Sequence, residues 1–96
     1  MITFEAIQGT LSACKQNLAK KYGVKKIAVF GSVSRGDSTD DSDVDILVEF
    51  SRPIGIQFID LAMELEELLN RKVDLVSRNA IKPKYYSQIE SELKYV

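Results

Sequence analysis

Apolar residues in the first quarter of the chain recur at helical spacing. Phe4, Ile7, Leu11, Cys14 and Leu18 are separated by three and four positions, which lines one face of an amphipathic helix. Thr3 can cap this helix, Glu5 complements the dipole in its first turn, and Gly23 can end it. The pattern then changes. Ile27-Ala28-Val29-Phe30 and Ile46-Leu47-Val48 are short, unbroken apolar runs that read as buried strands, the first spanning about Lys26 to Phe30. Helical spacing returns from about Ile56 to Leu69, with Phe58, Leu61, Ala62, Leu65, Leu68 and Leu69 on the apolar face and Asn70-Arg71 as the end. Lys72 to Val76 reads as a third strand, and Asn79 to Lys82 as a turn or short helix. Pro83 suits the first position of a final helix, whose apolar face (Tyr85, Tyr86, Ile89, Leu93, Val96) reaches the last residue. The expected order is α-β-β-α-β-α: an α/β (α+β) fold with a small mixed sheet packed against helices, in a single domain over 1–96.

Composition narrows the class. Ninety-six residues, 45% of them hydrophobic, are enough for one modest core. Thirteen basic residues against fourteen acidic ones give a net charge of −1, so no general nucleic-acid or membrane-surface binder is indicated. Lys20, Lys21, Lys25 and Lys26 cluster near the end of the first helix; they form either a solvated face or an electrostatic lead-in for a nucleotide or RNA. The single cysteine, Cys14, excludes an internal disulfide and is expected to pack. With no signal-like or membrane-length apolar segment, a cytoplasmic protein is expected. Histidine is absent, which removes imidazole metal ligands and histidine bases from consideration.

The candidate chemistry lies between the first two strands, in GSVSRGDSTDDSDVDILVEF from Gly31 to Phe50. Gly31 permits a tight turn and a close backbone approach, and Ser32 can cap a short helix whose N–H groups face an anion. Asp43 and Asp45, two apart on an extended strand, project to one face. Two carboxylates about 6 Å apart repel by roughly 2–3 kcal/mol at an effective dielectric near 20, so a divalent cation with oxygen ligands, Mg²⁺, is the expected complement. An EF-hand beginning at Asp41 fails, because Ile46 stands where the glycine belongs and Arg52 where the bidentate glutamate belongs. Asp37, Asp40 and Asp41 are therefore read as solvated loop acids. Arg35 has two open roles: an ion pair with Asp37 or Asp40, or neutralisation of phosphate charge.

Gly31-Ser32, ten intervening residues and Asp43-x-Asp45 resemble the signature of the DNA polymerase beta-like nucleotidyltransferases. The form with Arg35-Gly36-Asp37 in the loop and Ser42 before the first aspartate is most similar to the minimal nucleotidyltransferase branch. Many members of that branch are antitoxins paired with HEPN-domain ribonuclease toxins. The resemblance implies a polymerase beta-like core and transfer of a nucleoside monophosphate, AMP from ATP, to a hydroxyl of a partner protein, a HEPN-type toxin. It implies Asp43, Asp45 and Asp74 as the catalytic, Mg²⁺-holding carboxylates. Gly31, Ser32 and Arg35 fall to nucleotide binding, with ATP as donor. Two other readings stay open: a non-catalytic module acting by stoichiometric contact, and transfer to a small molecule or an RNA end. The tyrosines of the last helix are read as packing residues rather than base-stacking ones.

Overall fold

The computed structural model describes residues 2–96. Helix α1 covers Phe4–Tyr22, its N-terminus capped by the Thr3 hydroxyl, which accepts from the Ala6 N–H, and its end turned by Gly23 in the left-handed region. Strand β1 is Val24–Phe30 and the five-residue helix α2 is Gly31–Arg35. They are followed by β2 (Val44–Phe50), α3 (Gln57–Leu69) and β3 (Val73–Ser77). Helix α4 is Pro83–Ile89, with Pro83 at its first turn as the sequence predicts. It is followed by a single 3₁₀ turn, Glu90–Glu92, and by β4, Lys94–Tyr95.

The last of these differs from expectation. The final helix stops at Ile89, and the chain pairs antiparallel with β1 instead of continuing as a helix to Val96. Leu93 still packs, but in extended backbone just past the 3₁₀ turn, and the Val96 N–H donates to the Ile27 carbonyl at 2.9 Å. A spacing of four from Ile89 to Leu93 suits either course, so the apolar pattern alone did not separate them.

The four strands form one sheet in the order β3-β2-β1-β4. β1 is antiparallel to both β2 and β4, whereas β2 and β3 run parallel, joined through α3. Alternation along the strands sorts the two faces. Ile27, Val29, Val44, Ile46, Val48 and Phe50 point into the main core with α1 and α3. Ala28, Phe30 and Leu47 point the other way, into a smaller core closed by Ile89, Val76, Tyr86 and Leu93. Cys14 is half-buried at the edge of the main core, a packing residue as expected. No helix among the described residues is long and apolar enough to cross a membrane.

Candidate active site

Register brings the carboxylates together. Asp45, the second residue of β2, is paired with Asp74, the second residue of β3, in the parallel ladder. Residues paired in this way share a face on strands about 5 Å apart. Asp43 stands one residue before β2 and shares the parity of Asp45, while Val44 between them is fully buried on the opposite face. The sequence-predicted trio therefore gathers at one end of the sheet, on the side covered by α4.

The turn after β1 meets the same point. Asp45 is also paired across the antiparallel ladder with Phe30, the residue before Gly31. Gly31 has φ +74°, and a Cβ placed on it would lie 2.0 Å from the Asp45 Oδ2. The close approach that requires glycine here is thus made by a carboxylate of the chain itself. Ser32 does not cap α2, because the helix begins at Gly31 and Phe30 holds the cap position; Ser32 sits half-buried in the first turn.

Asp45 is the electrostatic centre. Burial, then the negative charges of Asp74 and Asp43, raise its pKa to about 6, and Arg35 opposes this only weakly. Arg35 itself is engaged: its Nε donates to Asp37 at 3.1 Å and another guanidinium nitrogen to Glu92 at 2.9 Å. Of the two partners expected for it, Asp37 is one and Asp40 is not. The Asp40 carbonyl instead accepts from Arg71 at 3.0 Å. Among the lysines flanking α1, Lys21 pairs with Glu64 at 2.8 Å and Lys25 with Glu49 at 3.5 Å, which favours the solvated-face reading.

Two residues at the site escaped the sequence reading. Glu92 accepts from the Gly31 N–H at 3.0 Å as well as from Arg35. Tyr85 is 41% exposed and not a simple packing residue. Its hydroxyl pKa is raised by burial and then by the charges of Asp74, Asp45 and Glu92. Tyr85 also lines a cleft of about 850 Å³ along the open edge of β3, bounded by Ile54, Phe58, Leu75 and Ile81. The carboxylates are outside this cleft. Among the described residues, no three acidic, histidine or cysteine side chains converge closely enough to hold a cation unaided.

The profile of the nucleotidyltransferase domain matches residues 11–96. This chain belongs to the nucleotidyltransferase family. It is 43% identical to the protein adenylyltransferase MntA of Thermococcus cleftensis, over 100% of this chain and 98% of that one. A solved structure described as a minimal nucleotidyltransferase superposes with a TM-score of 0.77 at 33% identity, covering 97% of this chain and 95% of the other. A toxin–antitoxin crystal structure with AMP-PNP gives a TM-score of 0.72 at 27% identity, over 84% and 68% of the two chains. The mixed sheet with helices on both faces is therefore the nucleotidyltransferase fold, and the Gly31–Phe50 segment lies within the matched region.

Proposed function

We propose that this nucleotidyltransferase moves AMP from ATP to a hydroxyl of a partner protein, a HEPN-type toxin, and acts as its antitoxin. The observation that carries the reading is the in-register Asp45–Asp74 pair set against the Gly31 turn. Its central carboxyl is crowded by like charge. The donor set is all hard oxygen, and Mg²⁺ is typically held by one or two carboxylates together with substrate phosphates, not by a closed protein cage. Asp43, Asp45 and Asp74 are the residues that would hold it, and it would offset the triphosphate charge and polarise the α-phosphate.

The remaining steps belong to the chain. Ser32 and the α2 N–H groups beyond Gly31, whose own N–H is held by Glu92, orient the phosphates. The acceptor oxygen bonds to the α-phosphorus, the bond to pyrophosphate breaks, and Asp74 is positioned to take the acceptor's proton in a chain without histidine. The full-length similarity to a protein adenylyltransferase and the likeness to a toxin–antitoxin structure with AMP-PNP support both the acceptor class and the nucleotide.

A second reading, neutralisation by contact alone, draws on Ile56, Ile59 and Met63. These form an exposed apolar stripe running from the cap residue of α3 along its first two turns, at 79%, 58% and 62% exposure. One experiment separates the two. The protein is mixed with a HEPN-type toxin, ATP and Mg²⁺, and the toxin's mass is measured. Addition of AMP by the wild type and none by Asp43→Ala is the expected result. Equal neutralisation by Asp43→Ala with no mass change on the toxin would leave contact as the mechanism.

A further inference from the structure

The C-terminal segment returns to the nucleotide turn through one residue. Glu92 stands 61 positions after Gly31, yet one of its carboxylate oxygens accepts the Gly31 N–H at 3.0 Å. Its other oxygen accepts from the Arg35 guanidinium at 2.9 Å. Its backbone carbonyl accepts from the Ser34 hydroxyl. The first and the last two residues of α2 are thus fastened to a single side chain and its own carbonyl.

We propose that Glu92 is a positioning residue for nucleotide transfer, holding the turn that carries Ser32 at a fixed place relative to Asp45 and Asp74. The inference rests on reading Gly31 and Ser32 as the phosphate turn. Five residues are too few for a helix to keep its geometry by its own hydrogen bonds. Gly31, in the left-handed region at φ +74°, adds no stiffness of its own. External anchors are therefore needed: Val33 packs into the main core, and on the polar side a carboxylate bridging an N–H and a guanidinium is a strong one. Pairing with Arg35 also offsets the charge of Glu92, so a fourth acid beside the carboxylate trio adds little repulsion toward a triphosphate. The anchor is itself fixed: Leu93 packs in the smaller core and the Val96 N–H is bonded to β1. The backbone at Glu92 cannot shift without unseating the chain that follows it.

The test compares MgATP binding by calorimetry and the KM for ATP in wild type, Glu92→Gln, Glu92→Asp and Glu90→Gln, each with its melting temperature. In Glu92→Gln the amide oxygen can still accept from Gly31, but the other arm turns a donor toward Arg35. A rise of about tenfold in Kd and in KM is expected, with kcat changed less and melting temperature little affected. Glu92→Asp should fall between wild type and Gln. The exposed neighbour Glu90→Gln should match wild type. Adding Arg35→Gln to Glu92→Gln should weaken binding little further, because the two side chains act as a unit.

Binding as tight as wild type in Glu92→Gln overturns the proposal. Tighter binding also overturns it, since Glu92 would then be a placeholder that the triphosphate evicts. A loss that merely tracks melting temperature across the Gln and Asp variants reduces Glu92 to a structural residue. A wild type that binds no MgATP overturns the phosphate-turn reading and this inference with it, an outcome distinct from normal wild-type binding with an unaffected variant.

Discussion

Asp45 at the start of β2 and Glu64 in the middle of α3 are both half-buried acids, and the protein treats them in opposite ways. Glu64 accepts from Lys21 at 2.8 Å and from the Tyr22 hydroxyl at 2.7 Å. Those bonds, Lys21 first, hold its pKa below the usual carboxylate range. Asp45 has burial and two neighbouring aspartates, which raise its pKa to about 6. The Glu64 flank fastens α1 to α3, and its electrostatics are satisfied within the chain. The Asp45 end is left with unbalanced negative charge, a state that costs stability unless a cation from outside completes it.

The strongest way to break the contrast is steric. Gly31→Ala would place a Cβ 2.0 Å from the Asp45 carboxylate and hold an L-residue at φ +74°. The left-handed conformation alone costs roughly 1–2 kcal/mol and the overlap about 1–3 more. A loss of about 2–5 kcal/mol in urea unfolding is expected. In an Asp45→Ala background only the conformational part should remain. Gly9→Ala gives the opposite reference, because nothing lies within 4 Å of its Cβ position on α1. That change should stabilise by about 0.5–1 kcal/mol. If Gly31→Ala costs no more in wild type than in Asp45→Ala, the two residues are not in the contact described here.

Charge gives the next largest effect. A carboxyl whose pKa is near 4 unfolded and about 6 folded is bound more tightly by protons in the folded state. Its contribution is fully present below pH 4, is lost as pH rises through about 6, and stays lost above that. After allowance for solvent screening this amounts to about 1–2 kcal/mol. Asp45→Asn should remove the slope between pH 4 and 7 and make the metal-free protein more stable than wild type at pH 7. Mg²⁺ with ATP should then stabilise wild type and leave the variant unchanged. An Asp45→Asn curve parallel to wild type over that window would show that Asp45 is not strained.

What could be read from the sequence is what sequence neighbours determine. The Thr3 cap, the Gly23 stop, the apolar strands and Pro83 are local patterns, and each stands where expected, whereas Ser32 does not take the cap position. Asp74 was found through family resemblance, and only register shows that it faces Asp45. Glu92 could not be found this way. It lies in a 3₁₀ turn with no apolar period, and its partner is 61 residues earlier. Two residues of β4 carry no alternation to detect, and their pairing with Ala28 and Val29 is again long-range. Asn79 is a similar case: its side-chain amide bonds both backbone groups of Phe50 and pins the loop after β3 to the end of β2.

The smallest effect sharpens the comparison from the Glu64 side. Tyr22 is 3% exposed, so Tyr22→Phe keeps the ring in the core and deletes only the hydroxyl that donates to Glu64. A hydrogen bond to a charged group is worth about 1.5–3 kcal/mol, and the partial exposure of Glu64 brings the expected loss to about 0.5–1 kcal/mol. Because the folded pKa of Glu64 is depressed, its stabilisation is present above the unfolded value near 4 and is lost as pH falls through the folded one. The cost of Tyr22→Phe should therefore be full at pH 7 and shrink in acid. The gain from Asp45→Asn should also be full at pH 7 and vanish in acid, but with opposite sign. Difference curves for the two variants, measured by denaturant unfolding from pH 3 to 8, should diverge from zero in opposite directions. Curves of the same sign would mean that the two acids are not held in the contrasting states that their neighbours dictate.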